Sequence, residues 1–161
     1  MPSARYQALI ELLRTADTLW NSSRVLFSDW DLSPSQFNVL NLLYELPEGL
    51  SQIDLSRELL MHRSNLTGLV DRLEERDLVR RQEVPGDRRS YRVVLSGRGR
   101  RLMAKILPRY HQASEEVWGE LNPERAVELK SIVEALRANA ERMAAAIEKT
   151  SAGAGQSGDV R

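Results

Sequence analysis

Two short amphipathic stretches follow each other almost without a connection, and two β-rich runs come directly after them. This succession, between Ser51 and Leu95, leaves few folds open. Ser51 starts the first stretch, with Asp54 where a capping box more often carries Glu or Gln. Ile53, Leu55, Leu59 and Leu60 are its inward residues. The second stretch spans about Arg63 to Arg76 and turns Leu66, Leu69, Val70 and Leu73 inward. Leu78 to Val84 and Tyr91 to Leu95 are rich in β-formers, and Pro85-Gly86-Asp87 between them is a turn signal. They predict a hairpin whose loop, Asp87-Arg88-Arg89-Ser90, bears arginine. Two close helices with one apolar face each fit a helix-turn-helix, and a hairpin placed straight after it is a wing.

Long helices flank this module. From Tyr6 to about Trp30, the residues Leu9, Leu12, Leu13, Ala16, Leu19 and Trp20 recur at spacings of three and four. Ser33 caps a second helix, with Pro34 in its first turn and Gln36 three residues on; Pro47-Glu48-Gly49 ends it. Ser96 caps a helix running to about Leu121, in which Pro108 predicts a kink or break. Asn122-Pro123-Glu124 restarts a helix that reaches about Glu148. The terminal helices are too long for the small module to cover, so they are expected to pack against another subunit. The fold class expected is mainly α with a small β-hairpin wing: a winged helix-turn-helix (about 32–99) flanked by N- and C-terminal dimerisation helices (about 5–30 and 100–149) in one domain over residues 1–150. Residues 151–161 lack apolar periodicity and are expected to be a disordered tail.

Composition narrows the function. With no cysteine there are no disulfides, thiolate metal sites or cysteine nucleophiles, and His62 and His111 are the only histidines. No Gly-rich phosphate loop, histidine-bearing metal motif or catalytic serine signature occurs, so neither enzyme activity nor a cofactor or metal is expected. No apolar run spans a bilayer and the first residues lack a signal-peptide core, which predicts no membrane partner and a cytoplasmic protein. A net charge of zero conceals a division. Residues 57–101 hold twelve Arg against seven Asp or Glu, a net +5, and the remainder is −5. Such segregation suggests a polyanion for the middle of the chain.

The stretch Arg63-Ser64-Asn65-Leu66-Thr67-Gly68-Leu69-Val70-Asp71-Arg72-Leu73-Glu74, followed by Asp87-Arg88-Arg89-Ser90, Val93-Val94-Leu95-Ser96 and Gly99, resembles the MarR family of bacterial transcriptional regulators. The resemblance covers about Leu32 to Gly99. It departs at Asp77 and Leu60, positions where the family often has Gly.

The resemblance implies a homodimer that binds double-stranded DNA, commonly as a repressor on a near-palindromic operator. The second helix of the motif would enter the major groove, with Arg63, Ser64, Asn65, Thr67, Gly68 and Asp71 outward and Arg72 toward phosphate or a neighbouring carboxylate. Asn65 suits adenine, and Arg63 guanine or phosphate. Ser51 and Gln52 would meet phosphates, and Arg88, Arg89 and Ser90 would carry the wing to the minor groove or its backbone. Many members release DNA when a small aromatic, phenolic or anionic ligand binds between the dimer helices and the winged module. Trp20, Arg24, Phe27, Trp30, Phe37 and His62 are the candidate lining, with Arg24 as carboxylate partner. The alternative is a winged-helix module that binds protein without specific DNA recognition.

Overall fold

A computed structural model describes residues 2–84 and 87–155, the side chains of 87–90, 148 and 151–155 aside. Six helices and a hairpin follow in the order α1 (Ala4–Ser28), α2 (Pro34–Glu45), α3 (Gln52–Glu58), α4 (Arg63–Glu75), β1 (Val79–Val84), β2 (Asp87–Leu95), α5 (Gly97–Trp118) and α6 (Pro123–Gly155). They form two compact units, Met1–Ala113 and Ser114–Arg161.

Serine hydroxyls start four of the helices. Ser3 accepts the Tyr6 N–H at the head of α1. Ser33 makes a full capping box: its hydroxyl accepts the Gln36 N–H at 3.2 Å and its own N–H donates to Gln36 Oε1 at 2.9 Å. Ser51 accepts the Asp54 N–H at 3.1 Å and donates to the Asp54 carboxylate at 2.6 Å, so Asp serves here in a position where Glu is commoner. Ser96 accepts the Gly99 N–H at 2.9 Å and donates to the Asp77 carbonyl at 2.5 Å, which joins the start of α5 to the end of α4. Each cap satisfies donors that the helix leaves open and contributes about 1 kcal/mol.

The core lies in the first unit. Phe27, Phe37, Leu40, Leu43, Leu55, Leu66, Val70, Leu73, Met103 and Ile106 are fully buried. Burial of each such side chain stabilises by about 1.5–3 kcal/mol. The hairpin joins this core through Leu78, Val79, Val93 and Leu95. Its strands pair antiparallel from Val79 opposite Leu95 to Glu83 opposite Tyr91, and Val84 then pairs with Asp87. Residues 88–90 therefore fall between two paired positions of β2 with none opposite them on β1. Leu50 adds a two-bond bridge to Val93 on the other edge.

Backbone approach dictates one glycine in particular. A Cβ on Gly99 would stand 2.0 Å from the Leu78 carbonyl oxygen, so only glycine lets α5 pass the start of the hairpin. Asp31, Leu60 and Asp77 adopt left-handed backbone, with φ of 52°, 50° and 55°. Leu60 and Asp77 are the two departures from the resemblance noted above, at positions often filled by Gly.

Several local expectations change. Ile53 in α3 is 46% exposed and Leu60, just after it, 69% exposed, and Gln52 is buried in their stead. With seven residues this helix has two turns, and its inward stripe is Gln52, Leu55 and Leu59. Helix α5 continues through Pro108. Proline removes the N–H that the Ala104 carbonyl would accept, but both residues are exposed and water can take that carbonyl. Asp87 to Ser90 lie within the span of β2, not in a loop before it.

In the second unit, α6 extends to Gly155, into the stretch expected as a tail, and 156–161 lie outside the described residues. Among its described residues none is buried, although Leu129, Ile132, Leu136, Met143 and Ile147 are apolar. No helix among the described residues is long and apolar enough to cross a membrane.

Candidate nucleic-acid interface

Helix α4 is amphipathic because leucine and valine recur at 66, 69, 70 and 73, and all four are buried. The residues between them are thereby turned outward. Arg63, Ser64, Asn65 and Arg72 are exposed; Thr67 and Gly68 are half-buried. The Thr67 hydroxyl donates to the Arg63 carbonyl at 3.0 Å, which fixes its rotamer and leaves its methyl free. His62 precedes the helix, and its Nδ1 lies 2.8 Å from the Ser64 hydroxyl. A side chain added at Gly68 would meet only the Arg72 guanidinium, at 3.5 Å, so the middle of this face is open. Ser64, Asn65, Gly68 and Arg72 border a groove of about 400 Å³ that Ser35 and Met61 close from the other side.

The hairpin is fastened to α4 by one cation. Arg81 on β1 donates to Asp71 at 2.5 Å and to Glu74, while its backbone N–H donates to Glu74 at 2.9 Å. Its guanidinium also lies 5.5 Å from the centre of the Tyr91 ring. Burial pulls the Arg81 pKa down, but the hydrogen bonds to Asp71, Tyr91 and Glu74 outweigh it and raise the pKa overall. Tyr91 in turn donates its hydroxyl to Gln52 Oε1 at 3.2 Å. Gln52 thus sits inside, tied to the hairpin, with its amide nitrogen buried and unpartnered. Ser51, beside it, is half-buried at the head of α3. Arg88, Arg89 and Ser90 follow on the same hairpin; their side chains lie outside those described.

The aromatic candidates separate into two places. Trp20, Phe27 and Phe37 line a cavity of about 270 Å³ together with Pro34, Asn38 and Tyr110. Phe27 and Phe37 stack with ring centres 4.1 Å apart, and Tyr110 lies 4.6 Å from Phe37. Trp30 faces elsewhere, with the Arg109 guanidinium 5.0 Å over its ring. Arg24 is exposed on α1 and His62 stands at α4, so neither borders this cavity.

Arg81 and Tyr110 are not among the site residues expected from the sequence. Two carboxylates three apart on a helix meant for a polyanion, Asp71 and Glu74, were the signal that a cation must cover them. Tyr110 continues the stripe of Met103 and Ile106 one turn further along α5.

Known proteins are similar to this chain in sequence and in fold. A family model described as the MarR family matches residues 30–90. The transcriptional regulator HosA of Escherichia coli O111:H- is 31% identical over 94 residues, which are 58% of this chain and 69% of HosA. The HTH-type transcriptional regulator PecS of Dickeya dadantii is 27% identical over 109 residues, 66% of either chain. Among solved structures, Bordetella bronchiseptica BpsR, described in terms of regulation of its DNA binding by 6-hydroxynicotinic acid, superposes with a TM-score of 0.73 at 25% identity. That superposition covers 85% of this chain and 98% of BpsR.

Proposed function

From the premise that the chain belongs to the MarR family of DNA-binding transcriptional regulators, we propose that it is a repressor. It binds a near-palindromic operator as a homodimer and leaves it when a small aromatic molecule binds. The observation that carries the DNA reading is the open outer face of α4, where Arg63, Ser64, Asn65 and Arg72 stand around an unobstructed Gly68. In the major groove, Asn65 would read adenine and Arg63 guanine or phosphate. Ser51 and the backbone N–H of Gln52, at the head of α3, would position the module on phosphates, as would Arg72. Arg88, Arg89 and Ser90 would extend the contact along the wing.

Exposed apolar residues support the dimer. Leu9, Leu13 and Leu19 on α1 and Leu129, Ile132 and Leu136 on α6 are each more than two-fifths exposed. Apolar faces of that extent mark protein contacts. The cavity beside Phe27 and Phe37 supports the ligand. Its lining is aromatic, and Asn38, Ser23 and Tyr110 supply its polar groups. That chemistry suits a phenolic hydroxyl, and Arg24 is not among the lining residues that could hold a carboxylate. BpsR, with its hydroxylated aromatic acid, is a precedent.

The test is titration of the purified protein with DNA from upstream of its own gene, against random DNA at about 0.15 M salt. A specificity ratio on the order of a thousand or more is expected. Equal, salt-labile binding to both would count against the reading, as would a monomer by light scattering.

A further inference from the structure

A second cavity, of about 490 Å³, opens at the opposite end of α4 from its base-reading turn. Arg76, which follows α4, borders it together with Trp30 and Asp31 from the α1–α2 connection. Arg98, Arg101 and Lys105 of α5 form its other wall. These three cations are spaced by three and four residues and so lie along one face of α5. All three are exposed.

The charges do not cancel. Two carboxylates border the cavity, and each has a cation of its own. Asp29 accepts from Arg109 at 3.1 Å, and Asp31 pairs with Arg76 at 3.8 Å. Arg76 is further occupied by the carbonyls of Trp30 and Asp31. Among the described residues, the side chains of Arg98, Arg101 and Lys105 make no hydrogen bond or ion pair, which leaves three uncompensated positive charges on one wall. Like charges at this spacing repel and destabilise the helix that carries them, and a multivalent anion would relieve the repulsion.

Position argues against the DNA backbone as that anion. Helix α4 rises about 18 Å from Arg63 to Glu75, and the six-residue β1 carries the wing tip about 20 Å from Leu78. The cavity borders on Arg76 and Leu78, the ends of these elements that point away from the proposed DNA contacts.

We propose that this cavity is a binding site for a small oligophosphate, with Arg98, Arg101 and Lys105 as phosphate ligands. Arginine forks onto phosphate oxygens, and lysine adds a point charge. Trp30 offers an apolar wall to any base attached to the phosphates. The site is separate from the aromatic cavity, and only the exclusion of the DNA backbone as its anion rests on the proposed mode of DNA binding.

Calorimetric titration of the full chain with sodium triphosphate, at constant ionic strength and with sodium sulfate as control, tests it. Saturable one-to-one binding and a higher Tm with triphosphate are expected. The double variant R101Q/K105Q should bind at least about tenfold more weakly, while melting no lower than the parent in the absence of ligand. K130Q, which removes a cation elsewhere, should bind as the parent does. ATP is the second probe. Equal affinity for ATP and triphosphate assigns the site to the phosphate chain alone; tighter ATP binding, lost in W30F, assigns it to a nucleotide, and either result supports the proposal. Two results overturn it: binding unaffected in R101Q/K105Q, or no triphosphate binding while the same variant loses affinity for DNA. The second would place these cations on the DNA backbone.

Discussion

Arg81 of β1 and Asp71 of α4 meet at 2.5 Å, and the same guanidinium reaches Glu74 one turn on. The hairpin is therefore held against α4 by a charge, and two carboxylates that would face a polyanion share one cation, which cancels half of their charge. Hydrogen bonds to charged groups contribute about 1.5–3 kcal/mol, and the partial exposure of this network places its value near the lower end. Arg81→Gln is expected to lower stability by about 1–2 kcal/mol, read as a shifted urea midpoint with unchanged slope. DNA affinity should fall by about tenfold, equivalent to about 1.4 kcal/mol, on all sequences alike. Full DNA affinity in this variant would show that the fastening is not needed for binding.

Gly68 separates two roles by sign. Nothing but the end of Arg72 would meet a new methyl there, so Gly68→Ala should stabilise α4 by about 0.5–1 kcal/mol. If the helix lies close to bases at this position, the same methyl obstructs it. A variant that melts higher and binds DNA more weakly is expected; one that melts higher and binds unchanged would remove Gly68 from the interface.

Leu60 occupies left-handed backbone while exposing 69% of its surface. A side chain in that conformation costs about 1–2 kcal/mol, against roughly 0.5–1 kcal/mol for the added freedom of glycine in the unfolded chain. Leu60→Gly should raise stability by about 0.5–1 kcal/mol without altering DNA affinity. A lower melting temperature would mean that the exposed leucine has a packing partner in the assembled protein.

Arg88→Ala with Arg89→Ala should flatten the salt dependence of DNA binding by about one to two phosphate contacts. Asn65→Ala should instead cost about 1–3 kcal/mol on the operator and little on random DNA. An unchanged salt slope in the first case, or uniform weakening in the second, would refute the assigned role.

Features that depend on a few neighbouring residues were legible in the sequence. The serine caps at Ser33, Ser51 and Ser96 are set by one hydroxyl and an N–H within three residues. The outward face of α4 follows from its four buried residues. Features that depend on distant partners were not legible. Two turns of α3 give too few apolar positions to fix its rotation, so the Tyr91 hydroxyl, 39 positions away, was needed to explain why Gln52 turns inward and Ile53 outward. Trp30 and Phe27 lie three apart on one apolar pattern, yet Arg109 draws the first away from the aromatic cavity that the second lines.

The rings of Phe27 and Phe37 belong to two inventories at once. Each is 1% exposed and counts toward the core, and each also forms the wall of the aromatic cavity. A guest in that cavity presses on the same rings that hold α1 to α2, so the energy of recognising it and the energy of folding share one term. If this cavity holds the proposed effector, sensitivity to that molecule and resistance to heat are traded against each other at these two positions. A chain selected for a larger effector would have to thin its own scaffold to admit it.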